Sequence, residues 1–208
     1  MSTIRWVVIL IYWSVFTSCM PPENYQKQIK SWTELRDQHV VKQRYDYSCG
    51  SASLATYLQY YFNDSVTEKD IVNDIITHLS SKESKSRKQK GFSIADLENY
   101  SKRRGYIATV LKNIKLSQIV HLKGPVLSLI NRDGIYHFII IRGVREDRIY
   151  IADPAHGNMR IAANIFKKQW SGIIMALGKK GFVIPKHYPL KVQDVQPVRN
   201  ELDIIRLR

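Results

Sequence analysis

The chain has 208 residues, 44% of them hydrophobic, enough for one well-buried core and short for two, so a single catalytic domain is expected. Its formal net charge is +14, and removing residues 1–18, whose only charged side chain is Arg5, lowers it to +13. No zinc-like Cys/His spacing, phosphate-cradling glycine loop or nucleic-acid module accompanies that charge. The basic surface is therefore read as solvated, with anionic lipid or an acidic polypeptide as favoured partners and no nucleic acid.

In chain order, Arg5 leads a mostly apolar run from Trp6 to Phe16, too short to span a bilayer comfortably as a permanent helix. Phe16-Thr17-Ser18-Cys19 follows, with small residues just before a cysteine, as in a lipoprotein signal. Residues 1–18 are read as that signal and Cys19 as the lipidated first residue of the mature protein. An ordinary signal peptide or an amphipathic starter helix is the alternative. Met20, rather than Asp, suggests sorting to the periplasmic face of the outer membrane in a Gram-negative host. Export also favours disulfides, so a Cys19–Cys49 bridge stands against a free Cys49 thiol.

Residues 19–39 read as tether and lead-in, with Pro21-Pro22 and then Trp32 and Leu35 in a short helix or strand. The peptidase domain is placed at residues 40–180. From Cys49 to Phe62 there is no proline, and Leu54, Leu58 and Tyr61 fall at helical spacing, which predicts a helix starting at or just before Cys49. Thr67-Glu68-Lys69-Asp70 looks like a helix cap ahead of Ile71, Val72, Ile75 and Ile76. The lysine-, serine- and arginine-rich run from Ser80 to Lys90 is predicted as a surface loop, with substrate or membrane contact as the sharper alternative. Ser93 caps a helix to about Arg104, which Gly105 ends.

Beyond that the period changes. Tyr106–Leu111, Pro125–Ile130, His137–Arg142, Arg148–Ala152 and Ile173–Leu177 are short β-branched or aromatic runs, which predict a mainly antiparallel sheet. Short helices near Leu116–His121 and Ala163–Trp170 interrupt it. Residues 181–208, with Pro185, Pro189 and Pro197, read as a C-terminal tail.

Cys49 stands where the first turn of a helix stabilises a thiolate. Gly50 beside it is read as keeping the backbone open for an approaching substrate carbonyl. Gln43, six residues upstream, could donate to the oxyanion formed by thiolate attack. His137 begins an apolar strand and Asp153 ends the next. A hairpin turning around Gly143–Asp147 would set them side by side, as an imidazole–carboxylate pair requires. Taken singly, each residue has a structural reading: a packed thiol, a surface amide, a core histidine, a turn-forming Asp-Pro.

Together, Gln43-Arg44-Tyr45-Asp46-Tyr47-Ser48-Cys49-Gly50, Gly91-Phe92-Ser93, Tyr136-His137-Phe138 and Asp153-Pro154-Ala155-His156-Gly157 resemble the bacteriocin-processing, double-glycine leader peptidase family, peptidase family thirty-nine. The resemblance spans Val40 to Leu177. It implies a papain-like α+β fold and peptide-bond hydrolysis without metal or organic cofactor. Residue by residue, it implies Cys49 as nucleophile, His137 as base, Asp153 as orienting acid and Gln43 in the oxyanion hole. Many transporter-fused members have Asp directly before the cysteine. Ser48 is instead similar to stand-alone exported members, such as those found with Fap-type functional-amyloid secretion systems, and double-glycine specificity stays open. No transporter or ATPase segment follows, so ATP-independent processing is expected, with export or amyloid-secretion machinery as a partner. A catalytically silent peptide-binding module and a cysteine acyltransferase or amidase remain the alternatives.

Overall fold

The computed structural model describes residues 30–132 and 134–192. The predicted signal and Cys19, Asp133 of the turn before His137, and the tail beyond Val192 lie outside the described residues. The first half is helical: α1 (Trp32–Asp37), α2 (Cys49–Phe62), α3 (Glu68–Thr77), α4 (Ser81–Lys90) and α5 (Ile94–Arg103). There follow β1 (Ile107–Leu111), α6 (Leu116–Ile119), β2 (Val126–Arg132), β3 (Ile135–Arg145), β4 (Arg148–Asp153), β5 (Gly157–Ala162), α7 (Ala163–Gln169) and β6 (Trp170–Gly178). The strands form one antiparallel sheet in the order β1-β6-β2-β3-β4-β5. The α+β class expected from the sequence holds.

Capping chemistry sets the helix starts. Thr67 with Asp70 and Ser93 with Asp96 form reciprocal capping boxes at α3 and α5. Helix α2 is apolar nearly all round and is buried on nearly all sides, as such a helix must be. It ends at Asn63, whose left-handed backbone (φ 53°) lets its N–H reach the Leu58 carbonyl.

The sheet separates two cores. Leu127, Phe138, Ile140 and Met175 face Leu54, Leu58, Ile71, Ile75 and Leu97 of the helical half. Ile130, Ile139, Ile141, Ile149, Ile151 and Ile174 face the other way, under Ile119 of α6 and Phe166 of α7. The unbroken apolar run Phe138 to Ile141 thus supplies both layers alternately, as the two-residue period of a strand requires.

Three segments differ from their sequence reading. Residues 81–90 form helix α4, not a loop: Ser80 and Glu83 build a capping box and Gly91 closes it at φ 84°. Having no apolar stripe, α4 is silent to a periodicity argument. Strand β5 has no β-branched run and exists through its pairing with β4 from Arg148↔Ala162 to Asp153↔Gly157. Finally, residues 182–190 pack on the first core. Leu190 is fully buried, and the rings of Phe182 and Tyr188 lie 4.6 Å from Phe62 and 4.8 Å from Tyr61.

Candidate active site

Cys49 opens α2 and carries a free, buried thiol. Its helix lies across β3, where the Ser53 hydroxyl donates to the Phe138 carbonyl at 3.0 Å. That contact sets the start of the helix beside residue 137, so that Cys49 bears on the charge of the His137 ring. The other side of the ring meets Asp153: Nε2 and Oδ1 are 2.9 Å apart. Since an ionised carboxylate only accepts, Nε2 carries the proton and Nδ1 is left for the sulfur.

The β3–β4 hairpin turns at Glu146–Asp147, between the paired ends Arg145 and Arg148. Its register shifts between Ile141↔Ile151 and Gly143↔Tyr150, so Arg142 is an extra, bulged residue. The bulged side chain is held by the Leu190 carbonyl (Nε, 3.0 Å) and Asn158 Oδ1 (Nη1, 2.5 Å). Asn158 in turn donates to the carbonyls of Arg36 (2.9 Å) and Gln38 (2.7 Å), fastening the lead-in to β5.

Asp153 is fully buried. Its Oδ1 also accepts from the backbone N–H groups of Ala155 (2.8 Å) and His156 (3.1 Å). Burial opposes its ionisation, yet the hydrogen bond and charge of His137, with those two N–H groups, hold it well below the usual carboxylate range. Burial alone would push His137 down, but its bond to Asp153 and the charges of Asp153 and Cys49 push it up to about 9.

Two neighbours carry no role in the sequence reading. His156 Nδ1 lies 3.3 Å from Asp153 Oδ2, and the Arg132 guanidinium 3.7 Å from the same oxygen. Arg132 stands 21 positions before Asp153 and reaches it only through the sheet, so spacing alone could not find it; His156, three positions after, was visible only as part of the Asp-Pro-Ala-His motif.

Gln43 is joined to the Asp153 end of the sheet by its backbone, whose N–H donates to the Pro154 carbonyl at 3.0 Å. Its side-chain Nε2 donates to the Tyr45 carbonyl at 3.2 Å, and Oε1 is buried without a hydrogen-bond partner among the described residues. An amide NH2 has two protons, so one remains to be given. Beside this loop the rings of Tyr45 and Tyr47 stack at 5.3 Å, and Tyr47 meets Phe92 edge-on, giving the Gly91-Phe92 motif a place next to Cys49's loop.

Gly50 has a packing part beside the one read in the sequence. A Cβ there would lie 2.9 Å from Leu97 Cδ1 and 3.1 Å from the Phe138 ring, so the glycine lets α2 press closely onto α5 and β3. A thiol beside an imidazole whose far nitrogen is fixed on a buried carboxylate can give up its proton and attack a carbonyl carbon. By contrast, a cavity of about 690 Å³ lined by Tyr61, Phe62, Phe182 and Tyr188 opens at the far end of α2 from Cys49.

Residues 37–181 match the model of the peptidase C39 family. The chain is 31% identical over 156 residues to the probable functional amyloid protease FapD of Pseudomonas aeruginosa, covering 75% of this chain and 67% of that protein. Its fold is similar to the peptidase domain of Streptococcus ComA, a bi-functional ABC transporter involved in a quorum sensing pathway (TM-score 0.58, 16% identity, 67% of this chain and 97% of that one). It is also similar to a double glycine motif protease from an AMS/PCAT transporter, solved with its leader peptide (TM-score 0.54, 21% identity, 66% and 89%).

Proposed function

The chain belongs to the peptidase C39 family, and from that membership we propose that it cuts a peptide bond in an exported polypeptide through a Cys49 acyl-enzyme. His137 takes the thiol proton through Nδ1, and the sulfur attacks the scissile carbonyl. A backbone N–H at the start of α2 and the free amide proton of Gln43 hold the oxyanion. His137 then protonates the leaving amine, and a water deprotonated by the same ring releases the acyl group. Asp153 fixes the tautomer throughout.

The observation that carries this reading is His137 held on buried Asp153 at 2.9 Å, with Cys49 near enough to bear on the charge of the ring. The name of the Pseudomonas relative favours an amyloid-forming polypeptide, or a component of its export, as the substrate class. The Phe16-Thr17-Ser18-Cys19 segment supports a lipid anchor at Cys19 and a site of action at the periplasmic face of the outer membrane. Replacing Cys19 by Ala should then move the protein from the membrane fraction into solution.

The decisive experiment measures intact mass after exposure to a thiol-directed peptide electrophile ending in Gly-Gly. A rapid single addition at Cys49 that His137→Ala abolishes is expected. Equal labelling of wild type and His137→Ala would move the chain to the peptide-binding alternative.

A further inference from the structure

We propose that Glu68 is a positioning residue of the peptidase: a buried carboxylate that clamps both ends of the loop 44–48 and so fixes Gln43 relative to Cys49. The inference rests on the roles proposed above for Cys49, His137 and Gln43.

In sequence, Glu68 belongs to the Thr67-Glu68-Lys69-Asp70 cap and would be expected at the surface. The cap does not use it: Thr67 N–H donates to Asp70 Oδ2 (2.9 Å) and Asp70 N–H to Thr67 Oγ1 (3.2 Å). Glu68 turns inward instead, with 3% of its surface exposed. Its Oε1 accepts the Arg44 N–H at 2.9 Å and lies 2.5 Å from the Ser48 hydroxyl. Arg44 is the residue after Gln43, and Ser48 the residue before Cys49.

Ser48 completes the clamp. As the residue preceding α2 it could cap that helix, yet its side chain makes no capping bond. Its oxygen instead receives the Tyr45 N–H at 3.1 Å, and its one proton is shared between the Tyr45 carbonyl at 2.8 Å and Glu68 Oε1 at 2.5 Å, folding the loop on itself. This leaves the N–H groups of the first turn of α2 free of a side-chain cap, as an oxyanion at Cys49 requires. The second carboxylate oxygen, Oε2, is buried without a hydrogen-bond partner among the described residues. A buried carboxyl group with one unpaired oxygen is an unfavourable filler, and an apolar side chain would serve packing better. What the carboxylate supplies that an apolar group cannot is the pair of bonds to the loop.

The test uses the full chain and two probes. Iodoacetamide alkylation needs only a reactive thiol. A peptide aldehyde ending in Gly-Gly also needs the oxyanion donors: its carbon bonds to Sγ, the carbonyl π pair moves to oxygen, which takes the thiol proton, and nothing leaves. Glu68→Ala should weaken aldehyde affinity about tenfold or more, and Ser48→Ala by less, while alkylation stays within about threefold of wild type. Glu68→Gln, which keeps an acceptor oxygen, should restore aldehyde affinity to within about threefold.

Aldehyde affinity in Glu68→Ala equal to that of wild type overturns the clamp. If Glu68→Ala does not fold, a folded Ser48→Ala with unchanged aldehyde affinity overturns it equally. A wild type that alkylates no faster than His137→Ala sinks the catalytic reading and the clamp with it. A reactive wild type beside an unaffected Glu68→Ala sinks the clamp alone.

Discussion

Asp153 shares a side of the sheet with His137 because Arg142 stands as one extra residue in β3. Between the turn and the bulge, Gly143 opposes Tyr150; beyond it, Ile141 opposes Ile151 and Ile140 opposes Ala152. Extended by one pair, this register sets Ile139 opposite Asp153, and His137 lies two residues along on the same side. Were Arg142 instead paired in a regular ladder, Asp153 would oppose Ile140, and its carboxylate would point away from the imidazole. Deleting Arg142 leaves every other residue of the hairpin its partner and should keep alkylation of Cys49 dependent on His137. Arg142→Ala keeps the residue count and should stay reactive, losing about 1–3 kcal/mol of stability with its bonds to Leu190 and Asn158. Alkylation kinetics and thermal unfolding of the two variants together check the bulge.

The charge state of His137 carries a pH signature. A histidine raised to about 9 stabilises the folded state fully below its ordinary value near 6.5, and that contribution is lost as pH rises through about 9. Asp153, held low, has the opposite sign: its contribution is present above the ordinary carboxylate value and is lost as pH falls toward its depressed one. Thermal unfolding of wild type should thus show a decline between about pH 7 and 9 that is missing from His137→Ala. An unchanged decline in that variant would assign it to other groups.

Asp153→Asn keeps an acceptor for Nε2 but removes the charge that raises His137. Turnover of a peptide substrate should fall about tenfold or more, and its alkaline limit should move to lower pH. Arg132→Ala removes the guanidinium facing Asp153 Oδ2 and leaves the 2.9 Å bond to His137 in place. It should therefore act more weakly, lowering turnover by about twofold to fivefold. A loss in Arg132→Ala as large as in Asp153→Asn would give the arginine a more direct part.

Gly50→Ala separates the two parts a glycine beside the cysteine could play. An alanine in a helix gains roughly 1 kcal/mol over glycine. Contacts of 2.9 Å with Leu97 Cδ1 and 3.1 Å with Phe138 should cost about 1–3 kcal/mol in a filled core. Net destabilisation of about 1 kcal/mol is expected, read as a lower unfolding midpoint. A stabilised variant with weakened substrate binding would instead favour a role in substrate approach.

Much of the architecture was legible along the chain, because its signals act over a few residues. The proline-free segment from Cys49 to Phe62 marked α2, Thr67-x-x-Asp70 and Ser93 marked helix starts, and the β-branched runs marked five of six strands. Cys49, His137 and Asp153 stood out because each belongs to a short local pattern, and the fold brings His137 and Asp153 together. Helix α4 was legible only through Ser80 and Glu83, since its polar sequence has no face to bury.

What only the tertiary structure decided depends on register and burial between distant segments. The bulge at Arg142, the pairing that creates β5, and the seating of Leu190 in the core leave no periodic mark on their own residues. Glu68 looks from its neighbours like one more surface charge at a helix start, and becomes a buried partner of Arg44 and Ser48 only when α3 packs beside the loop. The sequence by itself determined which groups could do chemistry, because side-chain identity and local helix or strand preference are properties of short segments. Which face each group turns to, and what steadies it there, was decided by contacts between segments far apart in the chain.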